Sequence, residues 1–229
     1  MLNGEGRILR LRLRSTKYLV IVMMITVSMM FSSFLVLPVN SASYKLHPIA
    51  DSYVDSTNPN KNYGSQETLH VKLDSVVRRS YLKFDLGSIP SGQVISSAML
   101  NLYCSAADPS SPVEVDVHAT ADSWSESTIK WNNAPSVGAL VANNTAVGGI
   151  GQYWSWNITD YVYVQYIGDK IVSVVVKFPN DCVLHRDFYS KEKSGTSYDP
   201  YLEIIAVQQR SLSVSSAHDS PVPEWATLL

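Results

Sequence analysis

The chain has 229 residues, 45% of them hydrophobic and 17% charged, with 11 Gly, 11 Pro and 2 Cys. It is poorer in charge than the usual ~25%, yet too apolar for a disordered chain and too poor in cysteine for a disulfide-stapled mini-protein. Five cations (Arg7, Arg10, Arg12, Arg14 and Lys17) crowd the first 17 residues, so the rest holds 13 cations against 19 anions, a net charge of −6. Such an acidic body argues against nucleic acid as the main partner, because phosphate binding needs a basic face.

Behind the basic start, Tyr18 to Val39 is nearly all apolar. A basic stretch, an apolar run and then small residues spell a secretory signal, with cleavage after Ser41 or within the next two positions. The run is also long enough to span a bilayer of about 30 Å, which leaves an uncleaved N-terminal anchor as the alternative. Residues 1–43 are therefore read as an apolar signal or anchor helix, and as the only contact with a membrane. The positive-inside bias places everything after them outside the cell.

From Tyr44 to Val207 the pattern is period 2, the signature of half-buried strands. Thr68–Leu73 turns Leu69, Val71 and Leu73 to one face and His70 and Lys72 to the other. Tyr81–Leu86 buries Leu82, Phe84 and Leu86 and exposes Tyr81, Lys83 and Asp85, while Ala98–Cys104 turns Met99, Asn101 and Tyr103 outward. Val113–Ala119 alternates most cleanly, with Glu114, Asp116 and His118 outward. Further strands are expected at Tyr153–Ile158, Ile171–Phe178, Cys182–Ser190 and Tyr201–Val207, and one helix at Thr159–Gly168 capped by Thr159 or Asp160. Asn, Pro and Gly clusters punctuate these runs. The expected architecture is all-β: a two-sheet antiparallel jelly-roll β-sandwich over residues 44–207. Residues 208–229, Ser-rich with Pro221 and Pro223, read as a disordered polar tail.

Two features suit an extracellular compartment. Asn143-Asn144-Thr145 and Asn157-Ile158-Thr159 match the glycosylation acceptor pattern. Cys104 and Cys182 are either one bridge or two buried thiols, and spacing alone leaves both readings open.

Four segments, in order, resemble the DNRLRE-domain proteins classed with carbohydrate-binding module family 96. They are Ala50-Asp51-Ser-Tyr-Val54 with Asn62-Tyr63-Gly64; Arg79-Ser-Tyr81-Leu-Lys83-Phe-Asp85-Leu86; Trp124-Ser-Glu126 leading to Trp131-Asn-Asn-Ala-Pro135; and Phe188-Tyr-Ser-Lys191-Glu192 running into Pro200-Tyr-Leu202. The resemblance implies a secreted jelly-roll module that binds polysaccharide, with acidic uronate polymers among the family's ligands. It departs at Lys191, where the family more often carries Arg and a two-pronged contact to a carboxylate.

Binding an acidic glycan takes cations for carboxylates and rings for sugar faces. Lys72, Arg79, Tyr81, Lys83, His185, Arg186, Tyr189 and Lys191 are the candidates; they make a basic strip if their strands are neighbours. Among the tryptophans, Trp131 reads as a buried anchor, while Trp154 and Trp156 suit a core or a platform equally. Asp51 and Asp55, with Asn58, Asn60 and Asn62 nearby, can offer oxygens to a structural calcium, and no other cofactor is expected. No nucleophile elbow, phosphate loop or zinc motif is present.

The sequence thus supports a non-catalytic binding module for polysaccharide. Two alternatives stand beside it. One is a structural or adhesive spacer domain without a glycan site. The other is a uronate lyase built from Tyr81, Tyr189, His185 and Arg186.

Overall fold

The computed structural model describes residues 40–108, 113–146, 149–179 and 182–208. The signal or anchor segment up to residue 39 and the tail from residue 209 lie outside the described residues. No described helix is long and apolar enough to cross a membrane.

Eleven strands follow in chain order: β1 Ser41–Leu46, β2 Ala50–Asp55, β3 Thr68–Leu73, β4 Val77–Asp85, β5 Gln93–Asp108, β6 Val113–Ala119, β7 Leu140–Ala146, β8 Gln152–Asn157, β9 Ile171–Lys177, β10 Cys182–Tyr189 and β11 Tyr201–Gln208. One helix, α1 at Thr159–Ile167, lies between β8 and β9. Asn157 rather than Thr159 or Asp160 supplies its start, because the Asn157 Oδ1 accepts the Thr159 N–H at 3.1 Å. Three strands went unanticipated. β2 is one of them: Asp51 and Asp55 look like turn residues, yet all six of its positions are buried.

The strands pair in the order β1-β11-β5-β10-β3-β4-β9-β6-β7, with β2 also on β4 and β8 also on β5. The pairings are antiparallel. β3 and β4 meet through only two register pairs, Lys72 with Arg78 and Leu73 with Val77. The sheet is curled. The curl is forced by the core, since Leu69, Leu100, Leu102, Trp154, Phe188 and Leu202 from one half pack in one cluster with Leu82, Phe84, Val115, Val117, Val172 and Val174 from the other. Each such side chain contributes about 1.5–3 kcal/mol on full burial, and a flat sheet would leave its two ends apart. The Trp156 indole spans the space, donating to the Val115 carbonyl at 2.8 Å. Trp154 and Trp156 are therefore core residues, at 3% and 1% exposure.

A second, smaller cluster forms on the outer side of β4, where Tyr81, Ala50, Val54 and Val175 meet Trp124 and Ile129. The long loop of residues 120–139 is thus laid over a face that alternation alone assigns to solvent.

Cys104 is a buried free thiol. It sits opposite Phe188, whereas Cys182 sits opposite Leu73, six residues further along β10. A bulge takes up part of that stretch, and the partner positions Leu69 and Leu73 on β3 are four residues or about 13 Å apart, still beyond the roughly 4.4–6.8 Å a disulfide allows. The bridge is excluded, and the two-thiol alternative holds for Cys104.

Candidate functional site

β10 does lie beside β3, and the register pairs His185 with Lys72 and Tyr189 with Thr68 on the outward face. Lys72 is committed in part to Asp74 at 3.2 Å. The other candidates scatter. Arg186 faces Val71 across the ladder and is 1% exposed, with one Nη1 donating to the His185 carbonyl at 2.7 Å and its guanidinium 5.8 Å from the Trp154 ring centroid. It shares the parity of Phe188 and is drawn into the core with it. Tyr81 is also 1% exposed, its hydroxyl donating to the Pro135 carbonyl at 3.0 Å. Lys83 donates to the carbonyls of Asp122 and Trp124 at 2.8 and 2.6 Å, and Arg79 lies over half-buried Trp131 at 5.0 Å. The β4 trio therefore holds the 120–139 loop instead of facing solvent. With Tyr81 and Arg186 enclosed in different clusters, the four residues of the lyase reading do not assemble.

Three of the four resembling segments converge on a clasp. Glu126 of the loop accepts the Asp51 N–H at 2.8 Å, and Asp51 Oδ2 accepts the Lys191 N–H at 2.9 Å. The Lys191 ammonium sits 3.0 Å from Glu126 and contacts Glu192 as well. Burial alone would lower the Lys191 pKa, but its bonds to the two carboxylates outweigh it and raise it. Asn62 ties the loop down by donating to the carbonyls of Glu126 and Ile129 at 2.7 and 2.8 Å. Gly64 is needed there, since a Cβ would fall 2.3 Å from the Glu126 carbonyl oxygen.

The expected pairing of Asp51 with Asp55 does not appear. Asp55 is held by Thr57 (2.8 and 2.7 Å) and Arg78 (2.9 Å), which outweigh its burial and keep its carboxyl below the ordinary range. Asp51 groups instead with Glu126 and Glu192, one oxygen of each lying within 4.8 Å of the others. Burial first, and then the neighbouring carboxylates, push the Asp51 pKa up to about 8.

Elsewhere on the outer face the structure assembles a tyrosine platform. Tyr153 lies directly opposite Tyr103 across the β8–β5 ladder. Tyr103 is near-parallel to Tyr189 (5.5 Å, 5°) and to Tyr198 (4.1 Å, 13°). Tyr201 meets Tyr153 edge-on at 5.1 Å. Tyr153 also fixes the loop carrying Tyr198 by donating to the Ser197 and Asp199 carbonyls. Tyr198 is 41% exposed, so the platform meets solvent. Two ammonium groups stand over it, Lys45 at 4.1 Å from the Tyr201 centroid and Lys193 at 5.5 Å from that of Tyr189. Of these rings only Tyr189 was a candidate. The signal for Tyr103 was its outward parity, but strand order was needed to see its neighbours.

Both acceptor asparagines are exposed; Asn143 donates to Glu114 at 2.9 Å and Asn157 serves α1.

The antiparallel sheet thus presents an outward shelf of aromatic rings. Residues 42–206 match carbohydrate-binding module family 96, and the chain belongs to that family. Family membership points to carbohydrate as the ligand class. No curated protein matches the chain.

Proposed function

We propose that this protein is an exported, non-catalytic module that binds acidic polysaccharide on the tyrosine platform of β5, β8, β10 and β11. The observation that carries the reading is the near-parallel set Tyr103, Tyr189 and Tyr198 with Lys45 and Lys193 beside it. Ring faces cover the apolar faces of sugars, and adjacent ammonium groups attract uronate carboxylates. His185 and Lys72 lie further along the same outward face and extend it. The two halves of the sheet, joined by so few pairs, are read as the faces of a jelly-roll sandwich. Residues 1–43 are read as the export signal or anchor.

Binding of the purified protein to a polyuronate and to a neutral glucan, with and without salt, tests this. Polyuronate binding should weaken as salt screens the ammonium groups. Tyr103→Ala should lower affinity about tenfold, the equivalent of roughly 1.4 kcal/mol, while leaving the melting temperature near the parent's. If folded Tyr103→Ala and Tyr198→Ala variants bind as the parent does, the platform is not the site. If no glycan binds, the spacer reading takes its place.

A further inference from the structure

The clasp carries more negative charge than its own ammonium can offset. Asp51, Glu126 and Glu192 meet with one oxygen each within 4.8 Å, and Lys191 is the cation among them. Fully ionised, three carboxylates and one ammonium leave a net charge of −2 in a site whose central residue, Asp51, is 1% exposed. Isolated buried charge of that size is costly and calls for a counter-ion or a proton.

The hydrogen bonds show where that counter-ion belongs. Asp51 Oδ2 is used by the Lys191 N–H, but Oδ1, fully buried, has no donor among the described residues. Glu192 Oε2 is likewise buried without a donor among the described residues. Two buried acceptors without donors in one acidic cluster call for something positive beside them. A shared proton is one solution, and the raised Asp51 pKa expresses it. A divalent cation is the other. It would bring three carboxylates, one ammonium and itself to zero net charge.

We propose that Asp51, Glu126 and Glu192 form a Ca²⁺ site that stitches β2, the 120–139 loop and the segment after β10 together. The donor set is all carboxylate oxygen, the hard ligand type that Ca²⁺ prefers. Oxygens on opposite sides of Ca²⁺ stand about 4.6–5.2 Å apart, from bonds of about 2.3–2.6 Å, whereas Mg²⁺ requires a tighter and more regular shell. The grouping within 4.8 Å is close enough for all three residues to share one such ion. The site is separate from the tyrosine platform and does not depend on its role.

The test is calorimetric and thermal titration of the chelator-treated, full-length protein with Ca²⁺ and, separately, with Mg²⁺. Ca²⁺ should raise the melting temperature. Glu192→Gln should weaken Ca²⁺ binding at least about tenfold, since affinity follows the count of charged ligands. Asp51→Asn should abolish it. If Asp51→Asn does not fold, Glu126→Gln with Glu192→Gln decides, because both side chains are partly exposed. The proposal fails if millimolar Ca²⁺ leaves the melting temperature unchanged, or if the folded variants bind Ca²⁺ as tightly as the parent. In either case the clasp holds only a proton.

Discussion

At the scale of single residues, charge type alone is a poor guide to role, and Lys83 shows why. Its alternation with Leu82 and Phe84 is real, yet the face it points to is covered by the 120–139 loop, to which its ammonium donates twice. Hydrogen bonds to a charged group contribute about 1.5–3 kcal/mol each, net of exchange with water. Lys83→Ala should therefore lower stability by roughly 1–3 kcal/mol, read by urea unfolding, and leave glycan affinity unchanged. A drop in affinity at unchanged stability would return Lys83 to the binding surface. Arg186 is the stronger case, because its charge is enclosed. Arg186→Ala should cost about 3 kcal/mol or more through lost packing and stranded partners. Arg186 was legible as a doubtful candidate from its parity with Phe188. Tyr81 was not, since nothing in Tyr-Leu-Lys-Phe signals that a loop some 40 residues later will cover it.

At the scale of elements, the strands that alternate cleanly were legible and β2 was not. β3, β6, β9 and α1 come within a residue or so of their sequence limits, β3 because its faces alternate in burial and β9 because an unbroken apolar run marks it although both its faces are covered. β2 lacks alternation because both its faces are covered, and its acids serve the clasp and Arg78. The same covering gives it a pH dependence. Asp51 is raised from 3.8 to about 8, so the folded state holds a proton that the unfolded chain has already lost across that window. More protons bound in the folded state means that stability falls as pH rises. In chelator, the melting temperature should decline from about pH 4 to about pH 8 more steeply in the parent than in Asp51→Asn. Equal slopes would show that Asp51 does not carry the burden. Glu126, Glu192 and Lys191 are the charged groups that face it.

At the scale of the whole molecule, the sequence supports the antiparallel all-β class but not the path of the sheet. The inward set Leu69, Leu82, Leu100, Val117, Val174 and Leu202 follows from parity. Which strands are neighbours depends on contacts distant in sequence, and these no local pattern reports. Hence the Tyr103, Tyr153, Tyr189 and Tyr201 shelf stayed hidden even though each ring sits on an expected strand. The core also decides the chemistry of Cys104, whose burial pushes its thiol up to about 11. A thiol reagent at pH 8 should leave Cys104 unmodified in the folded protein and label it after unfolding. Rapid labelling of the native state would mean that this part of the core opens often.

The pairing of β1 with β11 has a mechanical consequence. Ser41 lies opposite Val207, and the Gln208 N–H bonds the Asn40 carbonyl, so the chain enters and leaves the sheet side by side. A load applied between these two points pulls across the ladder and opens its hydrogen bonds one after another, like a zipper. The same load applied between Asn40 and Leu140 would be carried through many strands together. In single-molecule pulling, handles at residues 40 and 208 should therefore part β1 from β11 at markedly lower force than handles at residues 40 and 140. A domain tethered and tugged at its two neighbouring ends would yield first at this seam, with the core and the tyrosine shelf still folded.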